Sequence, residues 1–210
     1  LHQPEVPDAK NGVIEILLAT RKVVPESAGP RSSGLEFGPG LPYPPQWHQE
    51  AAENYRVHKD VLELLRKARL KGGIAWEDEA KQWMQASEYI PSQLRSLANL
   101  RSLANILSDA ALYAHFQGRD QDALELLDDL DYLSRAIAAR PFLISKLVTV
   151  GVTALHANTV QLIATDLKVA ADGDQQGASR ESLKQVIASL LDDSNLKQAY
   201  QQAIFEERTY

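Results

Sequence analysis

The sequence predicts an all-α protein. Apolar residues recur at steps of three and four over most of the chain beyond residue 51, and strand-like alternation is absent throughout. The helix breakers are also gathered in one place: Pro25–Pro45 holds six of the ten prolines and four of the eleven glycines. With 210 residues, 44% apolar and 24% charged, the chain has the make-up of a globular domain large enough to bury a core without staples. We expect an extended leader over residues 1–10 and a single all-α domain of about seven helices over 11–210.

Each element follows from local patterning. Leu1–Lys10 carries Pro4 and Pro7 and reads as an extended tether. Met84 is the only methionine, so Leu1 is not a translational start, and a targeting segment upstream of it would not be visible in this sequence. Pro25–Pro45 can be neither helix nor central strand. Phe37, Tyr43 and Trp47 lie in or beside it and are expected to anchor it as a wrapping segment over the helical body. A first clear helix places Ala51, Tyr55, His58, Val61, Leu62, Leu65 and Ala68 on one face and stops at Gly72-Gly73. Arg66, Lys67, Arg69 and Lys71 fill its last turns, where cations suit the negative end of the helix dipole.

Ile74–Ile90 is less legible: Trp76 and Trp83 flank Glu77-Asp78-Glu79, consistent with an amphipathic turn or two before Pro91. A long helix over Ser92–Phe116 follows, with Leu97, Leu100, Ala104, Leu107, Ala111 and Ala114 inward. Its duplicated pentapeptide, Arg95-Ser-Leu-Ala-Asn99 and Arg101-Ser-Leu-Ala-Asn105, is offset by six residues. That offset turns the copies about 240° apart. Gly118 and Asp120 supply a stop and a new N-cap. The next helix points Ala123, Leu127, Leu130, Leu133 and Ile137 inward, with Glu125, Asp128, Asp129 and Arg135 outward. Pro141 suits a first helical turn, and the helix from Phe142 to about Ala170, apolar on most sides as far as His156, should be the most buried element. Lys146, His156, Asn158 and Gln161 interrupt its apolar run, so it reads as a core helix and not as a membrane span. A polar loop, Gly173–Ser179, precedes shorter helices at Glu181–Leu191 and Leu196–Phe205, with Ser194 as a cap between them.

Absence of cysteine excludes disulfides, Cys-ligated zinc, iron–sulfur clusters and thiol catalysis. With 22 Lys+Arg against 28 Asp+Glu, the net charge of −6 argues against nucleic acid as a partner. No His-Glu-x-x-His or Glu-x-x-His motif surrounds any of the five histidines. His58, His115 and His156 do fall on or near inner helix faces, where convergence would make a zinc or copper site; the simpler reading is three separate core or boundary residues. Ser194-Asn-Leu-Lys197 has Ser-x-x-Lys spacing but no accompanying Lys-Thr-Gly. Gly34–Gly40 is glycine-rich without the strand before it or the Lys-Ser/Thr after it that a phosphate loop needs. Asp128, Asp129 and Asp131 lie mid-helix without the glycine-turned loop that wraps calcium. An outward acidic face carrying Glu125, Asp128 and Asp129 would suit a basic peptide or protein partner, or serve only as a hydrated surface. No cofactor is expected.

Tyr113-Ala-His-Phe-Gln-Gly118-Arg-Asp-Gln-Asp-Ala123-Leu-Glu-Leu-Leu127 resembles the core of a tetratricopeptide hairpin, where a small residue five positions past the turn glycine lets the second helix approach the first. The helices are longer than that repeat's, and no second copy at its period is visible. A second resemblance rests on Asn11-Gly12 before an apolar helix, the proline-rich crossing, Leu97-Ala98 and Leu103-Ala104 ahead of Gly118-Arg-Asp, Ala123-Leu124-Glu-Leu-Leu127, and Pro141-Phe-Leu-Ile144-Ser-Lys-Leu147-Val148. Together these resemble uncharacterised helical proteins of planctomycete-type bacteria, over most of Asn11–Asp166. That resemblance implies an N-terminal membrane anchor, a Pro-rich leader and an extracytoplasmic helical domain, and it implies no catalytic residues. The expected function is therefore a non-enzymatic interaction or scaffold domain of the cell envelope. The alternative is a helical protein binding a small molecule or metal, possible as an enzyme, built on His58, His115 and His156.

Overall fold

A computed structural model describes residues 6–24, 45–76, 86–140, 142–170 and 177–192, with isolated positions 194, 197, 201 and 204. Among these residues the protein is all-helical. A 3₁₀ turn, Asp8–Lys10, precedes α1 (Val13–Lys22), α2 (Pro45–Val57), α3 (Lys59–Lys71), α4 (Ala86–Phe116), α5 (Asp120–Ala138), α6 (Leu143–Ile163) and α7 (Arg180–Leu191). The described residues contain no strand, only isolated bridges at Asn11–Gly73 and Val169–Ala178. The anchors Phe37 and Tyr43, most of Pro25–Pro45, Trp83, Glu77-Asp78-Glu79, Pro141 and all of the expected Leu196–Phe205 helix except positions 197, 201 and 204 lie outside the described residues. Trp47 is described and is buried, with His48 edge-on to it and stacked on Phe116.

The α4–α5 hairpin is the spine. Leu97, Leu100, Ala104, Leu107, Ala111 and Ala114 of α4 are buried, as are Ala123, Leu127, Leu130, Leu133 and Ile137 of α5, the faces expected from their spacing. Gly118 closes the turn at φ +73°, its N–H bonding His115 O and that of Arg119 bonding Ala114 O. This is the Schellman arrangement, which needs a left-handed residue at the glycine. Ala98 is exposed and Ala104 buried, so the duplicated pentapeptides do meet different surroundings.

Boundaries differ from the sequence reading where tertiary ties intervene. The helix expected to run unbroken from Ala51 to Gly72 is two: His58 (φ −98°, ψ 16°) separates α2 from α3. Its ring sits over Asn54, Nδ1 donating to Asn54 Oδ1 at 2.7 Å while Nε2 accepts from the Val24 N–H. α4 starts earlier than Ser92, at Ala86, and takes Pro91 into its first turns. Arg119 and not Asp120 occupies the N-cap of α5, because the Asp120 carboxylate is drawn to His115 and to the Lys168 N–H.

The expected tether is in part docked. Lys10 O accepts from Gly73 N, Gly12 N donates to Gly73 O at 2.9 Å, and Asn11 Nδ2 donates to Ala75 O. A Cβ on Gly12 would lie under 3.0 Å from both Tyr132 Oη and Ala68 O, so this contact needs glycine. Tyr132 donates to Gly73 O at 2.8 Å, and burial pushes its phenol up to about 12, keeping it a donor.

α6 overturns the expectation that Phe142–Ala170 is the most buried element; that is α5, which packs against α3, α4, α6 and α7. α6 ends at Ile163 and presents a largely polar side to the core. Its buried residues are Ser145, Lys146, Thr149, Val152, His156, Thr159 and Ile163, while Ile144, Leu147 and Val150 face out, Leu147 at 61% exposure. Of the inward polar groups, Lys146 Nζ donates to Ala138 O and Arg140 O, closing the C-terminus of α5, and the Ser108 and Thr159 hydroxyls pair at 2.7 Å. α6 is long and apolar enough to cross a membrane by length and composition, with a third of that window buried.

Candidate functional site

Two of the three carboxylates expected on the outer face of α5, Glu125 and Asp129, are tied to arginines of α3. Asp129 is 1% exposed. Its Oδ2 lies 2.7 Å from Arg66 Nε and its Oδ1 2.5 Å from Arg69 Nε; Arg66 also pairs with Glu125. Glu125 and Asp129 therefore join α5 to α3, and Asp129, expected outward, is buried while Glu125 stays partly exposed. The basic end of α3 is correspondingly a set of interhelical partners, Lys71 reaching Glu15 at 2.6 Å. Counting period on α5 alone could not reveal this, because α3 covers α5 on a second side.

One turn away from these pairs, α5, α6 and α7 diverge and enclose a cleft of about 450 Å³. Asp128, Asp131, Ser134 and Arg135 line it from α5, Thr149, Thr153 and His156 from α6, Gln185 and Ser189 from α7, with Arg69 and Asp192 at its margin. Its volume falls in the range of small-molecule sites. The charges are unequally paired. Arg69 is committed to Asp129, and Arg135 Nε holds Asp131 Oδ2 at 3.1 Å. Asp128 is left without a hydrogen bond or ion pair among the described residues. Burial is the main force raising its carboxyl to about 6; Arg69 opposes the rise, and the neighbouring Asp129, Asp131 and Glu125 add to it.

His156 is the buried wall of the cleft, 3% exposed, with Nε2 lacking any partner. Burial pushes its pKa down, against a weaker pull from Asp131, so the ring is neutral in the folded protein at pH 7. Comparison with family models, curated proteins and solved structures finds no match for this chain. The cleft must therefore be read from its own chemistry.

The other two candidate histidines sit elsewhere. His58 is occupied by Asn54 and Val24, and burial lowers its pKa. His115 lies between Asp120 Oδ1, 2.5 Å from Nδ1, and Asp166 Oδ1, 2.9 Å from Nε2, tying α4 to the start of α5 and the segment after α6. The three rings share no partner, and among the described residues no group of three His, Asp or Glu side chains is placed to hold a metal ion. Of the candidates named from sequence, the structure brings together only His156 and Asp128. Arg135, Ser134, Thr153 and Gln185 were not singled out as site residues. Their only sequence signal was polarity at the edges of otherwise apolar stripes.

Proposed function

We propose that this protein is a non-enzymatic helical binding domain that holds a small polar molecule in the cleft between α5, α6 and α7. The carrying observation is His156, buried in the cleft wall with Nε2 unpaired. Leaving such a nitrogen unsatisfied costs about 1–3 kcal/mol, which a bound hydrogen-bonding group offsets. A binding role is favoured over catalysis because, among the described residues, no carboxylate is hydrogen-bonded to His156 to orient it and no nucleophile is hydrogen-bonded to its ring. The test is a titration of polar fragments followed by the ring resonances of His156. Saturable shifts at His156 are expected, with calorimetric binding weakened on His156→Gln; fragments that leave the His156 resonances of the parent unmoved overturn the reading.

A second reading is favoured by α6's outer face, where Ile144, Leu147 and Val150 form an uncharged stripe exposed to solvent. Such a stripe suits a protein partner, in keeping with a TPR-like scaffold of the cell envelope carried on an upstream anchor. The tight Gly118 turn and fully buried Ala123 support the TPR-like description of the α4–α5 hairpin. An uncharged stripe is self-complementary, so the first partner to test is a second copy of the chain. Sedimentation should show self-association that Leu147→Glu abolishes, and a monomer at every concentration would count against it.

A further inference from the structure

We propose that the ligand of this cleft carries a protonated primary amine, which pairs with the Asp128 carboxylate while a neighbouring polar atom of the ligand reaches His156. This rests on reading the cleft as a ligand site and names the chemistry it selects. The selection follows from which charges are already spoken for. Both arginines at the cleft are engaged, Arg69 with Asp129 and Arg135 with Asp131. An anionic ligand would thus have to displace an existing pair and would approach Asp128 and Asp131 together. A cation meets the opposite situation: Asp128 has no partner, and its charge is made costly by partial burial and by Asp129, Asp131 and Glu125 nearby.

His156 supplies the second, independent contact. As a neutral ring with an enclosed, unpartnered Nε2, it offers one hydrogen bond without repelling a cation. The Thr149 hydroxyl already donates to Ser145 O, and Ser134 and Thr153 are paired at 3.1 Å. A bare metal ion fits less well than an ammonium, since no three ligating side chains converge among the described residues. An ammonium needs only one carboxylate and one hydrogen-bond partner.

The test is calorimetric and NMR titration of the full chain with ethanolamine, putrescine and agmatine, beside ethanol and acetate as uncharged and anionic controls and zinc with a chelator. Expected is saturable binding of at least one amine, with shifts at His156. Asp128→Asn should weaken it at least tenfold, equivalent to about 1.4 kcal/mol. His156→Gln is the second variant, and its melting curve confirms that it folds. If ethanol or acetate moves the His156 resonances and the amines do not, the amine assignment is overturned while the cleft remains a ligand site. Zinc-dependent shifts reversed by the chelator would overturn it in favour of a metal. If no probe moves His156, both readings fall.

Discussion

Replacing Gly12 by alanine tests how closely α1 is held to the body of the protein. Gly12 has an ordinary φ of −76°, so the backbone itself tolerates any side chain. Space is the constraint: the added methyl would sit under 3.0 Å from Tyr132 Oη and from the Ala68 carbonyl, where ordinary contact begins near 3.4 Å. Overpacking of this kind costs about 1–3 kcal/mol. Moving α1 away to relieve it endangers the Gly12 N bond to Gly73 O, and displacing Tyr132 endangers its own bond to the same oxygen, each worth about 1 kcal/mol. Against this, alanine reduces the entropy of the unfolded chain by about 0.4–1 kcal/mol. The net expectation is a loss of about 2–4 kcal/mol, or roughly 5–15 °C in Tm for a chain of this length. Gly118→Ala is the internal control, since Gly118 has φ +73° but nothing within 4 Å of an added Cβ. It should cost only the left-handed penalty of about 1–2 kcal/mol. Urea unfolding of both variants decides the matter. A Gly12→Ala loss equal to or smaller than that of Gly118→Ala would refute the close-packing account. So would a double-mutant cycle with Tyr132→Phe showing no coupling.

Asp129→Ala should cost about 3 kcal/mol by stranding Arg69 and leaving Arg66 with Glu125 alone, seen as a lower urea midpoint; a near-neutral result would mean those arginines find water or other acids easily. Lys146→Met keeps the volume but leaves Ala138 O and Arg140 O without their ammonium donor, and should lower stability by about 2–3 kcal/mol on the same assay. Asp128 has a folded pKa near 6, above its unfolded value, so its contribution is harmless at low pH and becomes unfavourable as pH rises through about 4 to 6. Asp128→Asn should therefore raise Tm at pH 7, by an amount equivalent to about 1 kcal/mol after solvent screening, and the gain should vanish below about pH 4. A variant less stable than the parent at pH 7 would show that the carboxylate has a partner in solution.

The helices legible in the sequence were those whose period and burial agree. Leu97, Leu100 and Leu107 of α4, and Leu127, Leu130 and Leu133 of α5, are buried as their spacing implies. α6 was misjudged because its mean apolarity conceals its orientation: the core side of Lys146, Thr149 and His156 faces carbonyls and hydroxyls that only tertiary packing supplies. Asp129 and Glu125 were misplaced for the same reason, since Arg66 and Arg69 lie about sixty positions away. The cleft was half visible. His156 was singled out for a metal site it does not form, and Asp128 for a face that is partly enclosed. No local pattern marks the place where three helices part.

The one-glycine turn at Gly118 also bears on the order of assembly. The α4–α5 hairpin forms from residues near one another in the chain, so its loop-closure entropy is small. The ties from α3 and its flanks to α5, through Arg66, Arg69 and Trp76, span 59 to 63 residues. Contacts of that range are the slower ones to establish. The hairpin is thus the expected folding nucleus, with the N-terminal helices condensing on it afterwards. Truncations such as Leu107→Ala should then slow folding, while Leu65→Ala should mainly hasten unfolding.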